Sequence, residues 1–420
     1  MHTFANTAAD PVVVLRAVGD IMLFGRYDAI ADARVAENVF ADLSPSLQTA
    51  DLVVGNLECV LTERGQPRDD KLCLQARPLY ADALRRAGFT HLSLANNHAF
   101  DFGLEGYRET QGHLSTAGIG SFGAGTSLEQ ALEPLILRCK GLSIGLMAAC
   151  DASTQPGSLA ATSAPGPAPL LIDELEPRIR ALRPQVDHLV LVLHWGFEYS
   201  DYPTPDQARL AMRLIDAGAT VILGHHSHKL QGIQRYRDGI IVYSLGNLTD
   251  SDVDWQGPRR HYQSQVKDVD RESVILTLEL TRTGVARVET LPLWLNDAGR
   301  PERATDAVAA RIQASIQRRS EGLEPAALER YWQQAVVSNR VLGPLRYWWS
   351  NGSLLDKLRR FNLGQIKSLY LLLATLIQVK FSRSRSKWRL LNPRNDTRPM
   401  PSSGGESEPR AERSNQGRPG

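Results

Sequence analysis

This 420-residue sequence has few cysteines, almost no net charge and no long apolar segment. Its four cysteines form no CxxC pair and no zinc-type spacing, which predicts free thiols in a reducing compartment rather than a disulfide framework. Lysine and arginine together (48) nearly balance aspartate and glutamate (46), so bulk charge gives no reason to predict nucleic-acid binding. Disulfide-rich secreted domains and strongly basic nucleic-acid binders are therefore excluded.

The amino terminus also lacks the pattern of a targeting segment. A secretory signal begins with basic residues, continues with an apolar run and ends in small residues, whereas this chain opens with MHTFAN. The first apolar run, Val12–Val18, is too short to cross a bilayer, which needs about 20 residues. We interpret it as a core strand, and together these features favour a cytoplasmic protein.

Five apolar, β-branched-rich runs end directly in polar residues, a pattern typical of strands that lead into a site at their carboxyl ends. The runs and the residues that follow them are Val12–Val18 with Gly19-Asp20, Leu52–Val54 with Gly55-Asn56-Leu57-Glu58, His91–Leu94 with Ala95-Asn96-Asn97-His98, Leu189–Leu193 with His194, and Thr220–Leu223 with Gly224-His225-His226-Ser227-His228. Helical patterns lie between them over Pro78–Ala87, Leu104–Ala117 and Pro205–Ala217. This alternation predicts an α/β core. Two later strands, Ile240–Ser244 and Ser273–Thr281, follow with little helix between them and predict a second, partly antiparallel sheet.

The composition predicts three parts: a core of residues 12–295, a helical basic extension of residues 300–390, and a disordered polar tail of residues 391–420. Within the core, Asp250–Arg271 is predicted to be a polar loop near the site. Within the extension, Ser368–Val379 is apolar, flanked by lysine and arginine, and shorter than the roughly 20 residues that span a bilayer. It predicts either a helix in peripheral contact with an anionic membrane surface or a helix packed on the core or on a partner.

The polar residues at the strand ends are the types that hold metal ions. His226 and His228 follow an apolar strand, and in an extended backbone residues i and i+2 point the same way. One such pair is a weak signal, but further ligand-type residues end other strands, namely Asp20, Glu58, Asn97, His98 and His194. Carboxylate and amide oxygens mixed with imidazole nitrogens suit Mn²⁺, Fe or Zn²⁺ rather than Ca²⁺. The sequence therefore predicts a metal site where these strand ends converge.

These residues belong to six short motifs that occur in one order along the chain. The motifs are Gly19-Asp20-Ile21-Met22, Gly55-Asn56-Leu57-Glu58, Ala95-Asn96-Asn97-His98-Ala99-Phe100-Asp101-Phe102-Gly103, His194-Trp195-Gly196-Phe197-Glu198, His226-Ser227-His228 and Ser244-Leu245-Gly246-Asn247. In this order they resemble the CapA family of poly-γ-glutamate capsule biosynthesis proteins, a branch of the calcineurin-like metallophosphoesterase superfamily. The resemblance runs from about Val12 to Leu295. It implies an α/β fold, a four-layer αββα sandwich of two mixed sheets, followed here by the helical carboxyl-terminal extension.

The resemblance also implies a role for each metal-binding residue. It assigns Asp20 and His228 to a first metal and Asn97, His194 and His226 to a second. The usual bridging aspartate is Asn56 here, so we predict that Glu58 supplies the bridging carboxylate and Asn56 a supporting bond. The histidine usually found two residues after the ligand aspartate is Met22, whose thioether is a poor ligand for these ions and predicts a weaker first site.

Two further residues are predicted to take part in catalysis. The resemblance implies that His98 lies beside the substrate, where the equivalent histidine stabilises charge on phosphoryl oxygens or protonates the leaving group. Asp101, three residues later, is predicted to accept a hydrogen bond from the His98 ring and fix its tautomer. The alternative for Asp101 is the N-cap of the helix predicted over Leu104–Ala117.

The sequence therefore predicts a hydrolase of the metallophosphoesterase type with two divalent metal ions (Mn, Fe or Zn). Its partner would be an anionic small-molecule or polymer substrate with a phosphoester or related bond. The alternative is a non-catalytic component that binds metal and polyanion during capsule polymer synthesis or export. Met22 and Asn56 favour this alternative, whereas Asn97, His98 and the three ligand histidines favour the enzyme.

Overall fold

A computed structural model of the chain describes residues 11–154, 157–256 and 261–336. The apolar basic segment Ser368–Val379 and the polar tail of residues 391–420 lie outside the described residues. In the part of the chain that is described, no helix is both long enough and apolar enough to cross a membrane.

Strands and helices alternate over much of the described chain. The strands are β1 (Val13–Ile21), β2 (Leu52–Leu57), β3 (Val60–Leu61), β4 (Gln75–Ala76), β5 (His91–Ser93), β6 (Gly120–Phe122), β7 (Ala124–Gly125), β8 (Leu135–Cys139), β9 (Leu142–Cys150), β10 (Gly166–Pro167), β11 (His188–His194), β12 (Val221–His225), β13 (Ile233–Tyr236), β14 (Gly239–Val242), β15 (Asn247–Thr249), β16 (Val253–Gln256), β17 (His261–Ser264), β18 (Glu272–Thr281), β19 (Gly284–Leu295) and β20 (Pro301–Arg303). The α-helices are α1 (Ala33–Asn38), α2 (Ser44–Leu47), α3 (Tyr80–Ala87), α4 (Gly103–Thr116), α5 (Leu128–Leu132), α6 (Ile172–Leu182), α7 (Pro205–Ala217), α8 (Asp306–Ser320) and α9 (Pro325–Val336). Helices α3, α4 and α7 coincide with the three predicted helices.

Two mixed sheets form the centre of the fold. The first has the strand order β20-β19-β18-β1-β2-β5-β6, with β15 also paired to β1. Strands β1, β2, β5 and β6 run parallel, and β18 joins β1 antiparallel. The second sheet has the order β13-β14-β12-β11-β9-β8, in which β9, β11, β12 and β14 are parallel and the edge strands β8 and β13 are antiparallel. The parallel strands of each sheet therefore end at a common edge.

Three apolar clusters show how the layers pack. One cluster contains residues of both sheets, such as Leu15 and Val54 from the first and Val192 and Leu223 from the second. A second cluster joins the outer face of the first sheet to α1, α3 and α4, and a third joins the outer face of the second sheet to α6 and α7. The predicted αββα sandwich of two mixed sheets is confirmed.

Helix α7 illustrates how the local sequence sets the element boundaries. Thr204 caps its amino end by accepting a hydrogen bond from the Gln207 backbone, and the Gln207 side chain bonds back to Thr204, which forms a capping box. Pro205 occupies the first helical position, where its missing N–H costs nothing. The helix ends at Ala217 and is followed by the capping residue Gly218, whose φ of 129° suits a residue without a Cβ atom.

Some elements differ from the sequence-based prediction. The strands β14 and β18 lie in different sheets, so the prediction that they share a second sheet is wrong. The physical reason is that the second half of β18, Leu276–Leu280, pairs with β1. Alternate residues of β18 such as Leu276 thereby enter the inter-sheet cluster. The segment Asp250–Arg271, predicted as a polar loop, contains the antiparallel hairpin β16–β17.

Helices α8 and α9 lie in the segment that the sequence analysis placed in the extension. Ile312 and Ile316 of α8 nevertheless join the inter-sheet cluster, and Leu328 of α9 joins the cluster on the outer face of the second sheet. The compact unit that contains both sheets ends at Ala335. Burial of these side chains, worth roughly 1.5–3 kcal/mol each, explains why both helices pack on the core.

Candidate metal centre

Alternation along β2 directs polar residues into the space between the two sheets. Leu52 and Val54 belong to the inter-sheet cluster, and Asn56 and Glu58 follow at the same two-residue spacing. Both polar residues are fully buried. The end of β2 therefore places an amide and a carboxyl group where the second sheet faces the first.

The second sheet contributes imidazoles by the same geometry. His194 follows Val192 on the inner face of β11, and His225 follows Leu223 on the inner face of β12. His225 Nδ1 lies 2.8 Å from Asp20 Oδ1, so the two sheets are joined by a buried hydrogen bond. His225 was not among the predicted site residues, although its spacing from Leu223 could have indicated it.

Asp20, at the end of β1, is the most heavily bonded residue of the site. Its Oδ1 accepts a hydrogen bond from Asn56 Nδ2 at 2.8 Å, and its Oδ2 accepts one from the His226 backbone N–H at 3.0 Å. Burial by itself would raise the pKa of Asp20, but the imidazole of His225, with His194 and other neighbouring imidazoles, outweighs that effect and holds the pKa well below its usual range. Asp20 is therefore ionised.

Glu58 is the least satisfied residue of the site. It is fully buried, and neither carboxylate oxygen receives a hydrogen bond from the residues that the structure describes. Burial raises the pKa of Glu58 well above its usual range, and the neighbouring carboxylates of Asp20 and Glu198 raise it further. Because a buried carboxylate without a donor is costly, this arrangement fits a carboxylate whose role is to bind a cation.

The candidate ligand atoms fall into two groups that share Glu58. Atoms of Glu58, His226 and His228 lie within 4.8 Å of one another, and so do atoms of Glu58, Asp20 and His194. The Nδ1 atom of His226 is buried and has no hydrogen-bond partner in the described chain. These oxygen and nitrogen donors and the two unsatisfied side chains fit a pair of divalent ions that share one carboxylate.

This grouping differs from the assignment that the family resemblance implies. That assignment pairs His228 with Asp20 and puts His226 with His194. In the structure, the His194 and His226 rings lie 4.7 Å apart between centroids, and His228 Nδ1 lies 3.6 Å from Asp20 Oδ2. The side chains of Asp20, His194, His226 and His228 therefore meet in one place. Within it, His226 and His228 share a ligand group with Glu58 instead of belonging to different metals.

The imidazoles are in the form that binds metal. Burial lowers the pKa of His194 well below its usual range, with repulsion from His226 as the next cause. Burial also lowers the pKa of His226 to about 3, with repulsion from His228 adding to the effect. Both rings are therefore neutral near pH 7, and a neutral imidazole offers a lone pair to a cation.

The two amides of the site have different positions. Asn97 Oδ1 lies 3.0 Å from His194 Nε2, which places it beside a candidate ligand. Asn56 donates to Asp20 and accepts a hydrogen bond from Asn96 Nδ2 at 3.1 Å. The Asn56 amide is thus engaged at both its nitrogen and its oxygen and orients Asp20.

His98 and Asp101 form a buried pair. Their Nδ1 and Oδ2 atoms lie 2.6 Å apart, and the same Oδ2 accepts a hydrogen bond from the Leu74 backbone N–H at 2.8 Å. Burial lowers the pKa of His98, opposed by the Asp101 carboxylate. The N-cap of α4 is Phe102, without a side-chain capping bond, so Asp101 faces His98 instead of capping the helix.

The backbone that carries the histidine pair is not extended. Strand β12 ends at His225, and His226 and His228 have φ values of 84° and 54°. The i, i+2 argument for an extended chain therefore gives the wrong reason for their proximity. Left-handed conformations at non-glycine residues cost about 1–3 kcal/mol each and persist where the surroundings hold them, often at functional sites.

Met22 does not lie among the candidate ligands. It is 4% exposed and belongs to the apolar cluster between the first sheet and its helices. The predicted consequence, that its thioether replaces a histidine ligand, is therefore wrong. The imidazole beside Asp20 comes from His225 instead.

The chain is similar to bacterial proteins named for capsule synthesis. The family model described as "Bacterial capsule synthesis protein PGA_cap" matches residues 14–252. The "PGA biosynthesis protein CapA" of Bacillus subtilis (strain 168) is 31% identical over 297 residues, which cover 70% of this chain and 74% of that protein. The "Capsule biosynthesis protein CapA" of Bacillus anthracis is 33% identical over 304 residues, 70% of each chain. Among solved structures, the Haemophilus influenzae NAD nucleotidase NadN gives a TM-score of 0.39 at 12% identity over 77% of this chain and 67% of that one, a likeness too low to support any functional statement.

Proposed function

This chain belongs to the PGA_cap family of bacterial capsule synthesis proteins, and we propose that it is a metal-dependent hydrolase of the metallophosphoesterase type. Its substrate would be an anionic small molecule or polymer with a phosphoester or related bond, used in making a capsule polymer. The observation that carries this proposal is Glu58, a buried carboxylate without a hydrogen-bond donor that belongs to both groups of candidate ligands.

The proposed cofactors are two divalent ions of manganese, iron or zinc. The residues that would hold them are Asp20, Glu58, His194, His226 and His228, with Asn97 beside His194. When bound, such ions supply Lewis-acid stabilisation of charge on a phosphoryl oxygen and activate water for in-line displacement.

His98 is the proposed acid–base residue. The Asp101 carboxylate accepts from Nδ1, so the neutral ring carries its proton there and keeps a lone pair on Nε2. The Nε2 atom has no hydrogen-bond partner among the described residues, which leaves it available to a substrate. A positioned imidazole of this kind typically contributes about 10²–10⁴-fold to a rate.

The test begins with the full chain and measures metal content and turnover separately. After loading with Mn²⁺ and removal of free ion, we expect elemental mass spectrometry to find two equivalents of metal per chain. We then expect Mn²⁺-dependent hydrolysis of p-nitrophenyl phosphate, absent in Glu58→Gln. The proposal would be contradicted if the protein retained no metal after the loading step. It would also be contradicted if the wild type hydrolysed the substrate no faster than the Glu58→Gln variant.

A second candidate function is binding of metal and polyanion without turnover. Asn56 favours it, because an amide stands where metallophosphoesterases usually have an aspartate and both of its polar atoms are engaged with Asp20 and Asn96. This alternative predicts a protein that retains two metals and binds poly-γ-glutamate, yet hydrolyses no phosphoester. The same two measurements separate the candidates.

A further inference from the structure

Lys71 touches the candidate site from a loop between β3 and β4. Its Nζ donates a hydrogen bond to the Asn97 backbone carbonyl at 2.5 Å and lies 2.9 Å from Asp101 Oδ1. The side chain is 18% exposed, so most of it is covered by neighbouring residues. Lys71 thus holds the segment that carries Asn97 and His98.

The Asp101 carboxylate links Lys71 to His98. Its Oδ1 lies 2.9 Å from the Lys71 ammonium, and its Oδ2 lies 2.6 Å from His98 Nδ1. One buried carboxylate therefore holds the lysine and the proposed acid–base histidine side by side.

The ammonium of Lys71 also has unused hydrogen-bonding capacity. An ammonium group carries three N–H donors, and the Asn97 carbonyl takes one of them. Asp101 Oδ1, 2.9 Å from the ammonium, engages a second. One donor of a fixed, partly buried cation therefore has no acceptor among the described residues.

We propose that Lys71 binds an anionic oxygen of the substrate's phosphoryl group, beside His98. Lysine binds phosphate as a point charge. Its contribution to binding is larger when neighbouring groups hold the ammonium in place before the substrate arrives. The Asn97 carbonyl and the Asp101 carboxylate provide that support here. This inference rests on the proposed function and adds a substrate-contacting residue that none of the six motifs contains.

The test measures binding of inorganic phosphate to the Mn²⁺-loaded full chain by calorimetry, alongside metal content and melting temperature. Lys71→Met removes the charge and Lys71→Arg keeps it. Lys140→Met is the matched control, because Lys140 forms a lysine–aspartate pair with Asp51 at 2.7 Å on the turn between β8 and β9, away from the candidate site.

We expect Lys71→Met to keep its metal and to raise the Kd for phosphate at least about tenfold, the loss expected for one charged hydrogen bond. The Kd of Lys71→Arg for phosphate should lie between those of Lys71→Met and the wild type. The Kd of Lys140→Met should equal that of the wild type. An unchanged Kd in Lys71→Met, or a loss of metal that accompanies its weaker binding, would overturn the inference. A wild-type protein that binds no phosphate when loaded would instead end the proposed function, and this inference with it.

Discussion

Oε1 of Glu58 lies 3.4 Å from Nε2 of His194, although Glu58 follows a strand of the first sheet and His194 ends a strand of the second. Both side chains are buried, and the second carboxylate near Glu58 is the ionised Asp20. Two carboxyl groups this close repel each other in a low-dielectric environment. A divalent cation bound here would relieve that repulsion and link the two sheets.

The first prediction concerns Glu58→Gln. This change removes a carboxyl group whose charge is costly to bury and is also repelled by Asp20. The metal-free variant should therefore be at least as stable as the metal-free wild type. The melting temperature of the wild type should rise with Mn²⁺, because a ligand at 100 times its Kd stabilises a fold by about 2.7 kcal/mol. The melting temperature of the variant should rise little. Calorimetric scans with chelator and with Mn²⁺ measure both effects. An equal gain in the two proteins would show that Glu58 binds no metal.

The second prediction separates His98 from His226. His98→Ala should keep its metal and lose about 10²-fold or more in turnover, because the ring pairs with Asp101 and lies outside both ligand groups. His226→Ala should lose metal, because its Nδ1 is buried without another partner in the described residues. Metal content and hydrolysis of an aryl phosphate, measured on the same samples, test this. Equal metal loss in both variants would contradict the division of roles.

The third prediction concerns the close contact between Gly224, the residue before His225, and the backbone of Tyr243. A Cβ atom on Gly224 would lie 1.9 Å from the Tyr243 carbonyl oxygen, so Gly224→Ala must push β12 and β14 apart and shift His225 away from Asp20. We expect a loss of about 3 kcal/mol or more in the free energy of unfolding. Urea denaturation measures this change.

Gly112→Ala provides the matched control for that experiment. Gly112 lies within α4, and a Cβ atom there would meet nothing within 4 Å. Since alanine favours a helix over glycine by about 1 kcal/mol, this variant should be unchanged or more stable. Similar losses in the two variants would show that the contact with Tyr243 is not the cause.

The fourth prediction concerns Met22→His. Because Met22 lies in an apolar cluster, a histidine there should destabilise the fold by about 1–3 kcal/mol, the cost of burying a polar group without a partner. Mn²⁺ affinity should not improve. Met22→Leu, which nearly conserves volume, should cost less than about 1.5 kcal/mol. A tighter metal site in Met22→His would mean that residue 22 reaches the ligands.

The parts of the site that follow regular strands could be predicted from the sequence. Asn56, Glu58 and His194 continue an inward-facing alternation that begins with core residues, and such a pattern is visible in a single sequence. His225 obeys the same alternation, two residues after the inward-facing Leu223, so the pattern in β12 encodes its position as well. The left-handed backbone of that pair depends on contacts with Asp20 and other distant residues, which no local pattern encodes.

Other features had no local signal. Lys71 lies in an irregular loop, where neither a period of 2 nor one of 3.6 applies, so only the fold brings it to Asn97. The sheet membership of β14 and β18 depends on which distant strand each one joins. Neighbouring strands in a chain often pair, and that general tendency gave the wrong sheet for β18.

The bond between Asp20 and His225 joins residues that are 205 positions apart, and this separation has a consequence for the order of folding. Contacts between distant residues form only after a large loss of chain entropy. A chain still in synthesis presents the carboxyl groups of Asp20 and Glu58 long before His194 and His225 exist. The candidate metal ligands are therefore complete only when both sheets have formed and docked. Any ions that they bind would be acquired by a folded protein rather than guide its folding.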